Sequence, residues 1–80
     1  MKIIVFLTPK EGSLDPQGAA VEQALHSFGY QAASQVRMGR TIEWMTDEED
    51  SDQLHKKIDQ LCQDLLSNPV IEDYRYELVH

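Results

Sequence analysis

The first apolar run of the chain predicts a β-strand. Residues 3–7 read Ile-Ile-Val-Phe-Leu and stop before Pro9, a composition rich in β-branched side chains. Because successive side chains of a strand point to opposite faces, the odd-numbered residues share one face, and Ile4 and Phe6 share the other. Both faces are apolar, so a single layer of helices leaves one of them uncovered.

Two segments with a helical period of apolar residues predict two amphipathic helices. The first follows Asp15, a residue that caps helix starts, and covers residues 16–28, with Gly29 as its stop. Its apolar stripe consists of Val21, Ala24, Leu25 and Phe28. The second follows an acidic run at residues 47–50, which favours a helix start, and ends at Asn68-Pro69. Its stripe consists of Leu54, Ile58, Leu61, Cys62 and Leu65.

Three further stretches have the alternation of strands. They are residues 33–38 and 41–46, with Gly39-Arg40 between them as a hairpin turn, and residues 70–79. The element order is then β-α-β-β-α-β. This order predicts an α+β fold, a single ferredoxin-like sandwich over residues 1–80 with a four-stranded antiparallel sheet and two helices on one face.

Charge and cysteine content exclude several classes of function. The 80 residues carry 14 acidic and 7 basic side chains, a net charge of −7, which disfavours binding to nucleic acid or to an anionic membrane surface. The single Cys62 cannot form an internal disulfide, and no cysteine or histidine spacing matches a zinc site. No apolar run is long enough for a membrane span, and no targeting segment is recognisable, so we expect a cytoplasmic protein. A chain this small often gains stability by self-association.

Few residues are candidates for a catalytic or metal-binding site. Glu22 and His26 lie one helical turn apart, a spacing that suits an acid–base pair or a metal but also an ordinary exposed helix pair. Cys62 lies on an apolar stripe, where a packed thiol is the expected role. Phe6 and Trp44 resemble the stacking aromatics of RNA-recognition domains only in position, because a basic sheet face is missing. We therefore predict no catalytic residue and no metal site.

Three blocks of sequence resemble the PurS family, a subunit of phosphoribosylformylglycinamidine synthase. The first block is Asp15-Pro16-Gln17-Gly18, continuing through Ala20-Val21, Ala24-Leu25-His26-Ser27 and Gly29-Tyr30. The second is Val36-Arg37-Met38-Gly39-Arg40, where the family more often has Lys in place of Arg40. The third is Asn68-Pro69-Val70-Ile71-Glu72-Asp73-Tyr74-Arg75-Tyr76-Glu77. Together the blocks span almost the whole chain.

The resemblance implies an accessory, non-catalytic subunit in purine biosynthesis. It implies partners, a glutaminase subunit that releases ammonia and a large synthetase subunit that uses it with ATP and Mg²⁺. The PurS-like chain would bridge them as a homo-oligomer, a dimer or tetramer, and assist ammonia transfer. It would itself bind no cofactor.

Candidate contact residues fall into two groups. Arg37, Arg40 and Arg75 lie on or beside predicted strands in the matching blocks, and arginine is enriched at protein interfaces, although solubility and loose ion pairs explain them equally well. For self-association the candidates are Ile4, Phe6, Tyr74 and Tyr76. For the tyrosines we expect core or dimer packing, with contact to a partner subunit as the alternative.

Two other functions stay open at the level of sequence. An acylphosphatase-like hydrolase shares this element order, but it needs a phosphate-binding loop with Arg after the first strand, and residues 9–13 contain none. A regulatory domain that binds a small molecule at a dimer interface is the other alternative.

Overall fold

The computed structural model describes all residues from Met1 to His80. The helices and strands follow one another as β1 Lys2–Pro9, α1 Pro16–Ser27, β2 Arg40–Met45, α2 Asp52–Leu61 and β3 Glu72–Val79, with one π-helical turn, Cys62–Leu66, directly after α2. The three strands form one antiparallel sheet in the order β2-β1-β3. The α+β class is therefore confirmed.

The core lies between one face of the sheet and α2. Its six buried residues are Ile3, Val5, Leu7, Leu54, Ile58 and Cys62. The first three are the odd-numbered residues of β1, so the predicted alternation of faces is confirmed. The thiol of Cys62 is fully buried between α2 and the sheet, and burial raises its pKa, which leaves it a packed apolar group.

Both helices begin at capped ends. The Asp15 side chain accepts a hydrogen bond from the amide of Gly18 at 3.0 Å, and Pro16 opens α1, as the sequence predicted. At α2 the cap is Ser51, whose Oγ accepts from the amide of Leu54 at 3.2 Å, rather than the acidic residues before it. The π-helical turn ends where the amide and hydroxyl of Ser67 both donate to the Cys62 carbonyl, at 3.0 and 2.6 Å.

The predicted fourth strand is wrong. Residues 33–38 form no strand and no hairpin with β2, and Arg40 is the first residue of β2 rather than part of a turn. The amides of Val36 and Met38 bond to carboxylates of α1 and its cap instead of to a neighbouring strand. Gln35 has a φ of 54°, in the left-handed region, which interrupts an extended run.

The placement of both helices on one face is also wrong, since only α2 covers the sheet. No residue in or against the core comes from α1, whose only buried residue is Gly18. The apolar stripe of α1 is exposed to solvent, and the Phe28 side chain is 94% exposed. The molecule is elongated as a result, with principal extents of 47 × 27 × 15 Å.

Neither α1 nor α2 combines the length and the apolar composition that a membrane-spanning helix requires. Likewise, no group of three or more His, Cys, Asp or Glu side chains is arranged to hold a metal ion.

The one-layer core predicts an unequal response to truncation along the second helical segment. Replacing the fully buried Ile58 with Ala should lower the free energy of unfolding by about 2–5 kcal/mol, because it removes apolar contacts and leaves a cavity. Leu65→Ala, at a side chain 72% exposed, should change it by less than about 0.5 kcal/mol. Urea unfolding at one fixed protein concentration measures both, and equal losses would contradict the placement of the core.

Candidate functional site

The three family-like blocks of sequence meet at the end of β1. Asp15 is the centre of this meeting point, because its Oδ1 accepts from the Gly18 amide at 3.0 Å and its Oδ2 from the Met38 amide at 2.9 Å. The Nε atom of Arg37 lies 3.9 Å from the same Oδ2. The pKa of the Asp15 carboxyl is lowered mainly by the hydrogen bond from the Met38 amide and, to a smaller extent, by that from the Gly18 amide. The positive charge of Arg37 lowers it further. One ionised side chain thus joins the first block to the second.

The polar face of α1 holds the chain that follows it. Glu22 accepts the amide of Val36 at 3.0 Å, and Nε2 of His26 donates to the carbonyl of Ala33 at 2.7 Å. Gly18 permits the close approach, since a Cβ there would lie 2.5 Å from the Val36 carbonyl oxygen. Glu22 and His26 therefore each bind backbone rather than form a pair with one another.

Arg37 fastens the loop that leads into α1. Its Nη2 donates to the Lys10 carbonyl at 2.8 Å, and to the carbonyl and hydroxyl oxygens of Ser13 at 3.3 and 3.1 Å. No pattern in the sequence indicates that this arginine reaches the loop after β1. An anion would have to compete with these three oxygens for the guanidinium, and the Ser13 hydroxyl already donates to the Lys10 carbonyl at 2.6 Å. The loop is closed by its own contacts, an arrangement unlike an acylphosphatase phosphate cradle.

Arg40 joins the second block to the third. Its Nε and Nη2 donate to the two carboxylate oxygens of Glu72 at 3.2 and 3.0 Å, and Nη2 also donates to the Leu66 carbonyl at 2.8 Å. The Asn68 amide adds a further bond to Glu72 at 2.8 Å. The hydrogen bond from Arg40 is the largest cause that lowers the pKa of Glu72, and the hydrogen bond from the Asn68 amide is the next largest. This pair fixes the chain after the π-helical turn against the start of β2.

Arg75 lies elsewhere, on the sheet face opposite α2. Its guanidinium carbon stands 3.9 Å from the centre of the Phe6 ring, and its Nη1 donates to Glu77 at 2.9 Å. Ile4 belongs to the same face. The three candidate arginines therefore occupy two separate surfaces, and each is more than a third exposed at its side chain.

The four self-association candidates are likewise divided between the two faces of the sheet. Ile4 and Phe6 lie on the open face, whereas Tyr74 and Tyr76 lie against the second helical segment. The Tyr74 hydroxyl donates to Asp59 at 3.1 Å, and the Tyr76 hydroxyl is 2.9 Å from Nδ1 of His55. Burial raises the pKa of Tyr76.

Sequence reasoning missed His55 as a structural link. Its Nε2 donates to Asp50 at 2.7 Å while its other ring nitrogen contacts Tyr76, so it connects the acidic loop, α2 and β3. The only signal was the proximity of acidic residues to a histidine, which is too common on helices to single it out.

A groove of about 720 Å³ lies between the loop after β1, the start of α1 and residues 35–37. Its charged walls are Glu11, Asp15, Glu22 and Arg37. Three of these four side chains are bonded to the protein's own backbone, and no histidine or cysteine adjoins the Ser13 hydroxyl as a base or nucleophile. The arrangement can hold a surface in shape, but it has no nucleophile–base pair.

Comparison with known proteins places this geometry in a family. The family model PurS, described as phosphoribosylformylglycinamidine (FGAM) synthase, matches residues 2–80. The PurS subunit of that synthase from Bacillus subtilis is 46% identical over 77 residues, which cover 96% of this chain and 90% of the relative. The chain belongs to the PurS family. It is thus a member of a family of FGAM synthase subunits in purine biosynthesis.

Solved structures of PurS proteins have the same fold. The C2 crystal form of Bacillus subtilis PurS superposes with a TM-score of 0.78, at 46% identity, over 95% of this chain and 94% of that one. A structure described as PurLQS from Thermotoga maritima matches with a TM-score of 0.81 at 24% identity, over 95% of this chain and 93% of that one. At this identity the match is evidence for a shared fold and for nothing more.

Because the Asp15 carboxylate accepts the amides of both Gly18 and Met38, removing this side chain should loosen the backbone near Met38. In Asp15→Ala the amide of Met38 should exchange with solvent faster, because its acceptor is gone and residues 33–38 have few other bonds. Amide hydrogen exchange measures this directly. Glu11→Ala, which removes an exposed carboxylate that has no hydrogen bond or ion pair in the structure, is the control and should leave the Met38 amide protected.

The Arg40–Glu72 pair predicts a stability difference that depends on pH. A carboxyl whose pKa is lowered by folding stabilises the protein above its ordinary pKa of 4.5 and loses that contribution as the pH falls through the lower, folded value. The stability gap between wild type and Glu72→Gln should therefore be constant above about pH 5 and narrow below it. Urea unfolding at several pH values measures the gap. Glu43→Gln, whose carboxylate has only Lys2 as an exposed partner at 3.5 Å, should show a smaller gap throughout.

Proposed function

We propose that this chain is an accessory subunit of FGAM synthase with no active site of its own, which links the glutaminase and synthetase subunits and assists the passage of ammonia between them. The observation that carries the proposal is the use of the polar side chains in the PurS-like blocks. Asp15, Glu22, Arg37 and Glu72 each bond to the protein's own backbone. Such contacts support a role in shaping surfaces rather than in transferring groups.

Two separate exposed surfaces support a link between two partners. Arg37 and Arg40 lie at the end of β1 where the three blocks meet, and Arg75 lies on the open face of the sheet. An elongated chain with a longest extent of 47 Å can present both surfaces at once. The description of one neighbour in fold as PurLQS supports an assembly of more than one kind of subunit. In this assembly ATP and Mg²⁺ serve the synthetase, and this chain binds neither.

Self-association is part of the same proposal. Only 7 of the 80 residues are buried, which is a thin core for an independent domain. A dimer or tetramer supplies the apolar burial that the single chain lacks, and it also repeats each docking surface for the partners.

Reconstitution of the glutaminase and synthetase, with and without this chain, tests the link. Adding the chain should raise the glutamine-dependent rate much more than the rate with added ammonium, because free ammonium bypasses the transfer between sites. The chain by itself should neither hydrolyse glutamine nor consume ATP.

Arginine variants locate the partner surfaces. Arg37→Ala and Arg75→Ala should each weaken the glutamine-dependent stimulation, with Lys56→Ala, an exposed cation outside any ion pair, as the matched control. An unchanged glutamine-dependent rate when the chain is omitted would contradict the link itself. If the wild-type chain stimulates the glutamine-dependent rate and both arginine variants stimulate it equally well, the partners bind at another surface of the chain.

A further inference from the structure

The last strand of the sheet, β3, has one edge without a neighbour. It is bonded to β1 on one side only, and its eight residues make it longer than the other edge strand, β2, which has six. Its pairing with β1 is continuous from Glu72 to Val79, so no bulge interrupts it. The strand also contains no proline and no lysine, residues that commonly keep an edge from pairing. The edge is therefore open to a further strand.

A hydrogen bond just beyond the strand shows which of its backbone groups face outward. The amide of Lys10 donates to the Ile71 carbonyl at 2.8 Å, in the register that continues between β1 and β3. Bonded pairs recur at every second residue of an antiparallel ladder, so the odd-numbered residues of β3 bond to β1. The N–H and C=O groups of Tyr74, Tyr76 and Leu78 therefore point away from the sheet.

The other side of β1 gives the same alternation. The Thr46 amide donates to the Met1 carbonyl at 3.0 Å, which pairs the odd-numbered residues of β1 with β2. The even-numbered residues of β1 are left for β3, and each of them lies opposite an odd-numbered residue of β3. The three outward residues make no backbone hydrogen bond elsewhere in the molecule. Three donors and three acceptors thus line the free edge.

Carboxylates flank this edge on the α2 side of the sheet. Asp59 accepts the Tyr74 hydroxyl at 3.1 Å, and Asp50 is bonded to His55, whose other ring nitrogen lies 2.9 Å from the Tyr76 hydroxyl. Burial is the largest cause that raises the pKa of Tyr76, and the negative charges of Asp59 and Asp50 raise it further. Neither carboxylate forms an ion pair with a lysine or arginine.

The opposite face of β3 is acidic as well. The side chain of Asp73 is exposed and forms no ion pair or hydrogen bond, and Glu77 holds Arg75 at 2.9 Å. Five carboxylates therefore lie on or beside the strand, and only two of them, Glu72 and Glu77, are paired with an arginine. A surface with this charge favours a positively charged partner.

We propose that the free edge of β3 binds an extended, basic segment of a larger partner subunit, which adds a strand to the sheet. The outward groups of Tyr74, Tyr76 and Leu78 hold the backbone of this segment. Its lysine or arginine side chains meet Asp59 on one face of the sheet and Asp73 on the other, because neighbouring side chains of a strand point to opposite faces. The inference rests on the link proposed above, and it names one surface of that link and the chemistry of its partner.

A basic segment fits this edge better than a second copy of the chain because charge opposes the second copy. Each copy has a net charge of −7, and two β3 strands side by side bring their unpaired carboxylates together. A basic segment neutralises them instead. Arg75, a candidate for partner contact, lies on the same strand with its side chain exposed, so the edge continues a surface already proposed for docking.

Hydrogen exchange in the reconstituted complex tests the added strand. In the chain alone the amides of Tyr74, Tyr76 and Leu78 should exchange fast, whereas those of the odd-numbered residues of β3 should be protected by β1. Adding the glutaminase or the synthetase should slow the exchange of the three outward amides by at least about tenfold. Fast exchange of these amides in a complex that contains both subunits overturns the proposal.

A backbone variant separates strand pairing from side-chain contact. Ligation of a synthetic peptide of residues 62–80 to residues 1–61 at the native Cys62 allows an N-methyl group to be placed on the Tyr76 amide. The methyl group removes one outward donor and obstructs the edge, but it leaves the tyrosine ring and the bonds to β1 in place. The methylated chain should keep its near-ultraviolet circular dichroism and bind the partner at least about tenfold more weakly than the unmethylated ligation product. Equal binding of the two overturns the added strand.

Two charge variants test the basic character of the segment. Asp73→Lys and Glu49→Lys change the net charge equally, and each replaces an exposed carboxylate that has no ion pair. Glu49 lies with Gln53 and Lys57, on the side of α2 away from Asp59. Asp73→Lys should weaken binding at least about fivefold, with Glu49→Lys within about twofold of the wild type. Equal binding of the two variants overturns the basic segment.

The remaining arms separate this inference from the link itself. Protection of the three outward amides when the chain alone is concentrated, with neither subunit present, would assign the edge to a second copy and overturn the proposal. Glutamine-dependent synthesis is measured in parallel. An unchanged rate when the chain is omitted contradicts the link, whereas stimulation of that rate without protection at the edge of β3 contradicts only the added strand.

Discussion

The carboxylate of Asp15 accepts the amides of both Gly18 and Met38, and the course of the whole middle of the chain depends on this shared acceptor. One oxygen begins α1 and the other holds the end of the segment that follows it. Glu22, about two turns further along, accepts the amide of Val36 in the same way, so the amides of Val36 and Met38 are satisfied by α1 and its cap rather than by a strand. The helix and its return segment thus form one unit, which leans away from the sheet.

Sequence patterns predicted the elements that depend on local signals. The alternation in β1, the cap at Asp15 and the stop at Gly29 all depend on neighbouring residues, and the structure contains each of them. The stripe of the second helical segment is confirmed at Leu54, Ile58 and Cys62, which are buried, but not at Leu65, which is exposed. The apolar stripe of α1 was also real, but amphipathicity shows only that a helix face needs cover, not which surface supplies it. The family resemblance rested on the residues that turn out to fasten these elements together.

The unpredicted features share one cause, competition for backbone hydrogen bonds. Residues 33–38 have the composition of a strand, yet whether their amides bond to a strand or to a helix carboxylate is decided by residues more than a dozen positions away. The same holds for the arginines. From the sequence, Arg37 and Arg40 were candidates for docking to a partner. In the structure Arg37 binds the loop after β1 and Arg40 forms an ion pair with Glu72, although both side chains stay partly exposed. Their spacing alone could not reveal these partners.

The central strand of the sheet pairs with the last one, and this has a consequence for synthesis in the cell. Lys2 lies opposite Val79, so almost the entire chain separates the two halves of the pairing. A nascent chain therefore carries β1, apolar on both faces, without β3 beside it until the ribosome has made nearly everything else. During that interval the strand is exposed to misassociation, and its protection falls to chaperones or to rapid completion of translation.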